Sequence, residues 1–318
     1  MPGRAMFSYS NKPLRAGWPR SPPSPKSIPS GIAYNLTIKL DYFSEQNKKM
    51  PMHSFKDVFG ATKPVIGMIH LQALPGTPAY GGNLETVVEK AIEEALVFQR
   101  CGLPAIMIEN MHDTPYLRRR VGPEITAAMT AAAVAIKRAC ALPCGIQVLA
   151  GANREALAVA LAAGLEFIRA EGFAFAHVAD EGLMQSDAGE LLRYRRAIGA
   201  DHILVLTDIK KKHSAHAITS DVNLAETAKA AEFFRSDGLV ITGSATGEAA
   251  SVQEAQAARA ASALPILIGS GIKPDNIMEY WPHCDGVIVG SYFKERGHWA
   301  QPLEARRVER LMEVVEKL

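Results

Sequence analysis

Ionisable side chains recur in this sequence at the ends of short apolar runs, where a buried strand would give way to a loop. His70, Glu109, Glu171 and Asp208 each end or follow such a run, and Lys210 lies two residues beyond Asp208. Carboxylates, imidazoles and amines are the groups that donate and accept protons in enzymes. If the runs are parallel strands, their carboxyl ends bring these side chains to one pocket. We therefore predict a catalytic site composed of these five residues.

Three chemistries fit this set of residues. In the first, Asp208 or Glu109 is the general base and His70 or a lysine is the acid. In the second, a lysine of the run 210–212 forms a Schiff base, which requires a lowered lysine pKa. In the third, the carboxylates hold Mg²⁺ or a similar divalent cation, and a substrate phosphate completes its coordination. We rank acid–base chemistry first and the cation second; no cofactor is firmly implied, and no residue is assigned as a metal ligand.

Two glycine-containing turns follow the last two apolar runs. The first is Gly269-Ser270-Gly271, with Pro274 placed to open a helix, and the second is Gly290-Ser291, with Lys294 close behind. Glycine lets backbone N–H groups approach an anion closely, and the N-terminus of a following helix adds a favourable dipole. Two such turns on adjacent strands predict a phosphate site to which Lys294 contributes charge. The alternative is that the glycines only turn the chain and that Lys294 faces solvent.

Further polar residues are candidates for contacts to a ligand. Asn110 directly follows Glu109, and the segment Thr242-Gly243-Ser244 follows the sixth apolar run. The hydroxyl and N–H groups of this segment suit the non-reacting end of a polar ligand. The alternative is an ordinary loop that caps the next helix.

The elements that would position these residues repeat eight times from Pro64 onward. Each unit has a short β-branched run, a polar loop and an amphipathic helix, a pattern that predicts parallel strands. Eight units close into a (β/α)₈ TIM barrel, with the long loops gathered on one face; a two-domain doubly wound fold is the alternative. The predicted strands are 65–69, 105–108, 145–149, 166–170, 203–207, 238–242, 266–269 and 286–290, and the predicted helices are 84–100, 123–140, 153–163, 188–198, 222–235, 250–262, 274–281 and 303–317.

The composition agrees with one large globular domain. Of the 318 residues 48% are hydrophobic, and the formal net charge is +2, so no nucleic-acid-binding surface is indicated. No apolar run reaches the roughly 18 residues that a membrane span needs. The 4 cysteines are too few and too scattered for a disulfide framework. We expect a small phosphorylated ligand as partner, no nucleic acid and no membrane, with pairing into a homo-oligomer through the outer helices left open.

Residues 1–50 differ from the rest of the chain. They are rich in Ser, Pro and basic residues, have no acidic residue before Asp41 and show no hydrophobic period. This composition is typical of a mitochondrial transit peptide, although the prolines at 22–25 disfavour the amphipathic helix of such peptides. The alternative is an over-extended start of a cytoplasmic protein. We predict a disordered extension over residues 1–50 and a single barrel domain over residues 51–318.

Several sequence blocks resemble the BtpA/SgcQ family, in the order in which that family has them. The similarity runs from about residue 55 to the C-terminus and implies a phosphate-binding barrel of the ribulose-phosphate-binding type. Two of the later segments resemble the animal branch of the family, which favours the mitochondrial location. The family blocks are Lys63–Leu71 with Ala73–Gly76, Ile108–Asn110, Ile241–Gly247, Gly269–Gly271 and Val289–Ser291, and the animal-type segments are Thr207–His216 and Phe293–Trp299.

The resemblance leaves the reaction open. The family is named for a role in photosystem I biogenesis in cyanobacteria, and bacterial relatives accompany sugar-uptake genes. We expect an enzyme, an isomerase, lyase or phosphohydrolase, that acts on a small phosphorylated metabolite such as a sugar phosphate or a nucleotide. The alternative is a non-catalytic assembly or stability factor built on the same barrel.

Overall fold

The computed structural model describes residues 53–60, 63–211, 213–243 and 249–318. The predicted extension over residues 1–50 and the candidate ligand contact Ser244 therefore lie outside the described residues. The described chain contains the closed (β/α)₈ barrel that the sequence predicts. Within these ranges no helix is both long enough and apolar enough to cross a membrane.

Eight parallel strands, whose ranges are given below, form the barrel wall. Around the barrel their order is β1-β11-β10-β9-β7-β4-β3-β2, and β2 pairs with β1 to close the sheet. The predicted strand boundaries agree with the structure to within two residues. The shared register aligns the strand ends, since His70 pairs with Glu109 and Glu109 pairs with Gln147. The strands are β1 Val65–His70, β2 Ala105–Glu109, β3 Cys144–Gln147, β4 Phe167–Ala170, β7 Leu204–Ile209, β9 Gly238–Ile241, β10 Ile266–Ile268 and β11 Gly286–Val289.

The helices connect these strands and lie outside the wall. Side-chain caps fix several of their starts, because Asn83, Asn223 and Ser251 each accept hydrogen bonds from the first-turn backbone. Their buried faces are rich in alanine, which lets them pack closely on the sheet. The helices are α1 Phe55–Phe59, α2 Leu84–Arg100, α3 Pro123–Ala139, α4 Asn153–Ala163, α5 Ala188–Ala197, α6 Leu224–Phe233, α7 Val252–Ala261, α8 Ile277–Tyr280 and α9 Ala305–Val315.

The inside of the barrel changes from apolar to polar along the strands. Successive residues point alternately inward and outward, so inward positions lie two residues apart. The middle layer is apolar and includes Met68, Met107, Phe167, Leu206 and Ile288, each at most 4% exposed. Two residues further along, six strands present polar side chains and the last two present glycine: His70, Glu109, Gln147, Arg169, Asp208, Thr242, Gly269 and Gly290.

The opposite end of the barrel is closed by a short helix that the sequence did not predict. In α1 the ring of Phe59 lies 5.2 Å from that of Phe167, between ring centres, and 4.5 Å from that of Phe55. The Ser54 hydroxyl caps this helix by accepting from the Asp57 backbone N–H, and the Asp57 carboxylate accepts from the Ser54 backbone N–H. The apolar interior is therefore sealed from below, and access to the polar layer is from the carboxyl ends of the strands.

A small antiparallel sheet covers part of that open end. It consists of β5 His177–Ala179 and β6 Gly182–Met184, from the loop after β4, and β8 Ser214–Ala215, from the loop after β7. The sequence predicted only long loops here, because strands of two or three residues are too short to show a period of two. The two loops are thereby joined through main-chain hydrogen bonds.

The prediction that a helix begins at Pro274 is wrong. Helix α8 begins at Ile277 and has 4 residues, because Asn276 accepts a hydrogen bond from the Lys273 backbone and donates one to the Gly271 carbonyl. After the second glycine turn the chain forms only a 3₁₀ turn, Ser291–Phe293. Neither turn is followed directly by a helix long enough to supply the expected dipole.

Candidate active site

Both glycine turns and the polar inward side chains of three strands surround one cavity at the open end of the barrel. Its volume is about 200 Å³, and His70, Glu109 and Arg169 face the turns across it. The structure thus brings together two of the five predicted catalytic residues with all five turn residues of the predicted phosphate site. We call this space the first cavity. It is lined by Met68, His70, Glu109, Met111, Arg169, Gly269, Ser270, Gly271, Ile272, Lys273, Val289, Gly290, Ser291, Tyr292, Gly297 and Arg307.

The glycines of the turns are required by close approach as well as by conformation. A Cβ at Gly290 would lie 3.2 Å from the His70 imidazole, and a Cβ at Gly269 would lie 2.5 Å from Val240. Gly271 has φ +71°, in the left-handed region that favours glycine. Gly271 lines the first cavity, and no described residue accepts a hydrogen bond from its backbone N–H.

Three cations that were not among the predicted site residues line the first cavity: Arg169, Lys273 and Arg307. Lys273 is exposed and follows the first turn by two residues. Arg307 comes from α9, where it lies 4.5 Å above the Tyr292 ring and donates to the Tyr292 carbonyl. Lys273 could have been identified from its position, whereas only the folded chain brings Arg307 to β11.

His70 and Glu109 form a pair at the edge of the first cavity. Nε2 of His70 lies 3.5 Å from Oε2 of Glu109, and Nδ1 lies 3.1 Å from the carbonyl oxygen of Trp299. Since a carbonyl can only accept, Nδ1 carries a hydrogen in this contact. Nε2 is the ring nitrogen that faces the Glu109 carboxylate. The pair has the arrangement of a general acid–base group.

Asp208 lies behind Arg169, and it does not line the first cavity. Both carboxylate oxygens of Asp208 accept hydrogen bonds from the Arg169 guanidinium, at 2.8 and 2.7 Å, and the Asp208 side chain is 0% exposed. Burial disfavours the charge of Arg169, but the Asp208 carboxylate outweighs burial and raises the Arg169 pKa. The structure therefore places Asp208 as the counter-ion that holds a charged guanidinium toward the cavity.

Glu171 and Lys211 form a second buried ion pair, and neither residue lines the first cavity. The Lys211 ammonium lies 3.2 Å from Glu171 and 3.9 Å from Glu181, and Gln147 donates to Glu171 at 3.0 Å. Burial works against the charge of Lys211, yet the two carboxylates prevail and raise its pKa. A Schiff base needs an unprotonated amine, so this environment disfavours that chemistry at Lys211.

Two other predicted lysines lie away from the first cavity. Lys294 is buried, and its ammonium lies 2.6 Å from both carboxylate oxygens of Glu94 on α2. Burial lowers the Lys294 pKa, against the opposing charge of Glu94. Lys210 donates to the Val222 carbonyl at 2.6 Å. The expected contact of Lys294 with a phosphate on the glycine turns is thus not part of this arrangement.

Asn110 connects three loops and does not line the first cavity. Its amide donates to Asp113 at 2.8 Å, and its oxygen accepts from the Leu149 backbone at 2.7 Å. Asp113 in turn accepts from the Leu74 backbone at 2.8 Å. Burial raises the Asp113 pKa, while the two hydrogen bonds lower it less. The geometry gives Asn110 a role in holding the loops after β1, β2 and β3.

The turn after β9 meets the first glycine turn. The backbone N–H of Gly243 donates to the Ser270 hydroxyl at 3.1 Å, and the Thr242 methyl would lie 3.1 Å from a Cβ at Gly269. Thr242 and Gly243, two of the predicted ligand contacts, therefore pack against the first glycine turn. In the part of the chain that the structure describes, no three His, Cys, Asp or Glu side chains are grouped so as to hold a metal ion.

Comparison of the sequence with known proteins identifies its relatives. The model of the BtpA family matches residues 61–317. A mitochondrial protein of Caenorhabditis elegans is 45% identical over 267 residues, which cover 82% of this chain and 96% of the relative. The photosystem I biogenesis protein BtpA of Synechocystis is 35% identical over 258 residues, covering 81% of this chain and 89% of the relative.

Comparison of the structure finds the same barrel in solved enzymes. The geranylgeranylglyceryl phosphate synthase of Thermoplasma acidophilum matches with a TM-score of 0.55 and 13% identity, covering 84% of this chain and 100% of the other. Tryptophan synthase of Mycobacterium tuberculosis matches with a TM-score of 0.51 and 14% identity, covering 80% and 93%. At these identities the likeness shows the fold.

Replacing Asp208 by Asn tests the buried ion pair. The buried Arg169 guanidinium would lose the carboxylate that binds it through two hydrogen bonds, so we expect the free energy of unfolding to fall by about 3–5 kcal/mol. Asp201→Asn is the matched control, because Asp201 pairs at the surface with Arg196, whose side chain is 61% exposed. That loss should be at most about 1 kcal/mol. Urea unfolding followed by circular dichroism measures both, and equal losses would contradict the assignment.

Proposed function

The chain belongs to the BtpA family, and from the site in its barrel we propose that it is an enzyme acting by acid–base chemistry on a small phosphorylated metabolite, such as a sugar phosphate or a nucleotide. The observation that carries this proposal is the first cavity. It joins an anion-binding surface, the two glycine turns, to the His70–Glu109 pair and a charged Arg169. A ligand of a few carbon atoms with one phosphate group would contact both ends of this cavity.

We place the phosphate on Gly269-Ser270-Gly271 and Gly290-Ser291. The donor N–H of Gly271 and the positive charges of Lys273 and Arg307 support this position. The last two strands are also where (β/α)₈ enzymes commonly bind phosphate. The name of one solved neighbour, geranylgeranylglyceryl phosphate synthase, contains a phosphorylated compound and is consistent with it.

Gly271→Asp tests the phosphate position. A carboxylate in this turn repels the anion, so we expect the affinity for orthophosphate and for glycerol 1-phosphate to fall at least about tenfold. The control is Gly164→Asp, because Gly164 has nearly the same φ, +68°, but lies in open space at the end of α4. Both variants place a non-glycine residue at a positive φ of about the same size.

The measurement is the rise in Tm that each ligand produces, since a ligand that binds the native state must raise it. We expect this rise in the wild type and in Gly164→Asp and its loss in Gly271→Asp. The phosphate position is refuted if the wild type shows no rise with either compound.

In the reaction that we propose, His70 Nε2 exchanges a proton with the substrate and Glu109 stabilises the imidazolium that results. Arg169 stabilises negative charge that develops on a substrate oxygen, because its guanidinium is held in place and kept charged by Asp208. This assignment revises the role expected for Asp208 from base to positioning residue. In the alternative, Glu109 would contribute to holding a divalent cation such as Mg²⁺, which would supply positive charge near the phosphate, and EDTA would then abolish turnover.

Glu109→Gln tests the acid–base pair. The amide is isosteric but cannot stabilise a protonated His70, so we expect kcat to fall by about 10²–10⁴. The ligand-induced rise in Tm should persist, because the phosphate turns are unchanged. Turnover is followed by ³¹P NMR on the phosphorylated compound that raises Tm most. Glu279→Gln, an exposed change on α8, is the control; unaltered turnover in Glu109→Gln would exclude the pair.

A non-catalytic assembly factor is the alternative to an enzyme, because the Synechocystis relative is named a photosystem I biogenesis protein. A docking role uses the outer surface of a barrel and needs no charged groups inside it. Burying Arg169 and Asp208 costs desolvation energy without a packing benefit. We therefore favour the enzyme, for which these charges have a use.

We also propose a mitochondrial location. Residues 1–50 have the basic, acid-poor composition of a transit peptide, and the relative from C. elegans is named as mitochondrial. A fusion of residues 1–50 to a fluorescent protein should enter mitochondria of animal cells, whereas a fusion in which the basic residues among them are replaced by Gln should stay in the cytosol. Cytosolic fluorescence from both fusions would favour the cytoplasmic alternative.

A further inference from the structure

A second cavity lies beside the first, and His70 lines both. It has a volume of about 340 Å³ and lies between α2 and the segment 294–303 that precedes α9. For comparison, an enclosed cavity of about 150 Å³ is large enough to bind benzene. The second cavity therefore has room for one or two fused rings, next to the proposed acid–base group.

The walls of the second cavity suit a flat group. Trp299 and His112 form one side, with their ring centres 4.9 Å apart, and Leu71, Val87 and Leu303 supply apolar surface. Burial, and then the charge of Lys294, lowers the His112 pKa, so its imidazole is neutral at neutral pH. Aromatic and aliphatic walls of this kind bind the faces of planar rings.

One charged pair interrupts this surface. Lys294 and Glu94 line the second cavity, and their side chains are 2% and 20% exposed. An ammonium has three N–H donors, and each carboxylate oxygen can accept twice. After the two bonds between them, the pair still offers one donor and further acceptor capacity. A group with an N–H beside a C=O matches this combination.

We propose that the second cavity binds a planar ring whose adjacent N–H and C=O groups are recognised by Glu94 and Lys294. When such a ring is part of the substrate, the phosphate of that substrate occupies the first cavity, and the bond that joins the ring to the phosphorylated part lies beside His70. That the ring and the phosphate belong to one molecule rests on the proposed function. The ring site itself rests on the second cavity alone. Lys294 thus acquires a binding role different from the phosphate contact expected from the sequence.

The test uses 2-pyridone, which has the required edge, and orthophosphate as a probe of the first cavity. Saturation-transfer NMR on the full chain should show 2-pyridone binding with a Kd on the order of 1 mM, as for other small fragments. Saturating orthophosphate should not displace it. N-methyl-2-pyridone lacks the N–H, so it should bind at least about tenfold more weakly.

Glu94→Gln removes the negative charge of the acceptor and should weaken the binding of 2-pyridone at least about tenfold, while the binding of orthophosphate stays unchanged. Glu89→Gln, an exposed change on the same helix outside the cavity, is the matched control. Because Glu94→Gln leaves Lys294 without its counter-ion, Ala91→Leu provides a second variant that fills the cavity from α2 and leaves the pair intact. It should also abolish 2-pyridone binding.

Equal binding of the two pyridones by the wild type, or unchanged 2-pyridone binding in Ala91→Leu, would overturn the ring site. Displacement of 2-pyridone by orthophosphate would place it in the first cavity and overturn the ring site as well. If 2-pyridone binds as expected but orthophosphate does not bind, the proposed function fails and the ring site stands.

Discussion

The bidentate contact between Arg169 and Asp208 is the interaction on which the geometry of the site depends. It joins neighbouring strands β4 and β7 at the layer where the barrel interior becomes polar. Two parallel N–H···O bonds fix the plane of the guanidinium as well as its position. Because its other face borders the first cavity, the ion pair sets the charge that a ligand meets there. Removing one partner of a buried pair is costly, but the intact pair adds little net stability compared with apolar side chains, so its main contribution here is to orientation.

The position of the cavity follows from an asymmetry in the same layer. Six strands fill their inward positions with polar side chains, whereas β10 and β11 lead into Gly269 and Gly290. The missing side chains leave space on one side of the barrel axis, and the His70 ring approaches Gly290 too closely for a Cβ to fit easily. The glycines thus act in two ways: they open the space for a ligand and they admit the side chain proposed to react with it.

The fold could be predicted from the sequence because its signal is repeated eight times, and errors at single boundaries do not change the count. Local departures from the repeated strand–helix pattern could not be predicted. Helix α8 starts late because Asn276 caps the turn before it, and the strands β5, β6 and β8 are too short for a period. For the site, the turns, His70 and Glu109 follow from position at a strand end. The ion-pair partners of Asp208 and Lys294 could not be predicted in this way, because Arg169 and Glu94 are 39 and 200 residues away from them along the chain.

The contact between His70 Nδ1 and the Trp299 carbonyl has an evolutionary consequence. The group that fixes the tautomer of His70 belongs to the main chain, and every amino acid supplies the same carbonyl. Residue 299 can therefore change identity over time, and with it the shape of the second cavity, while the proton of His70 stays on the same nitrogen. In the proposed function, specificity and proton chemistry are governed by different atoms of one residue, so substrate preference can diverge among descendants without loss of the proposed reacting group.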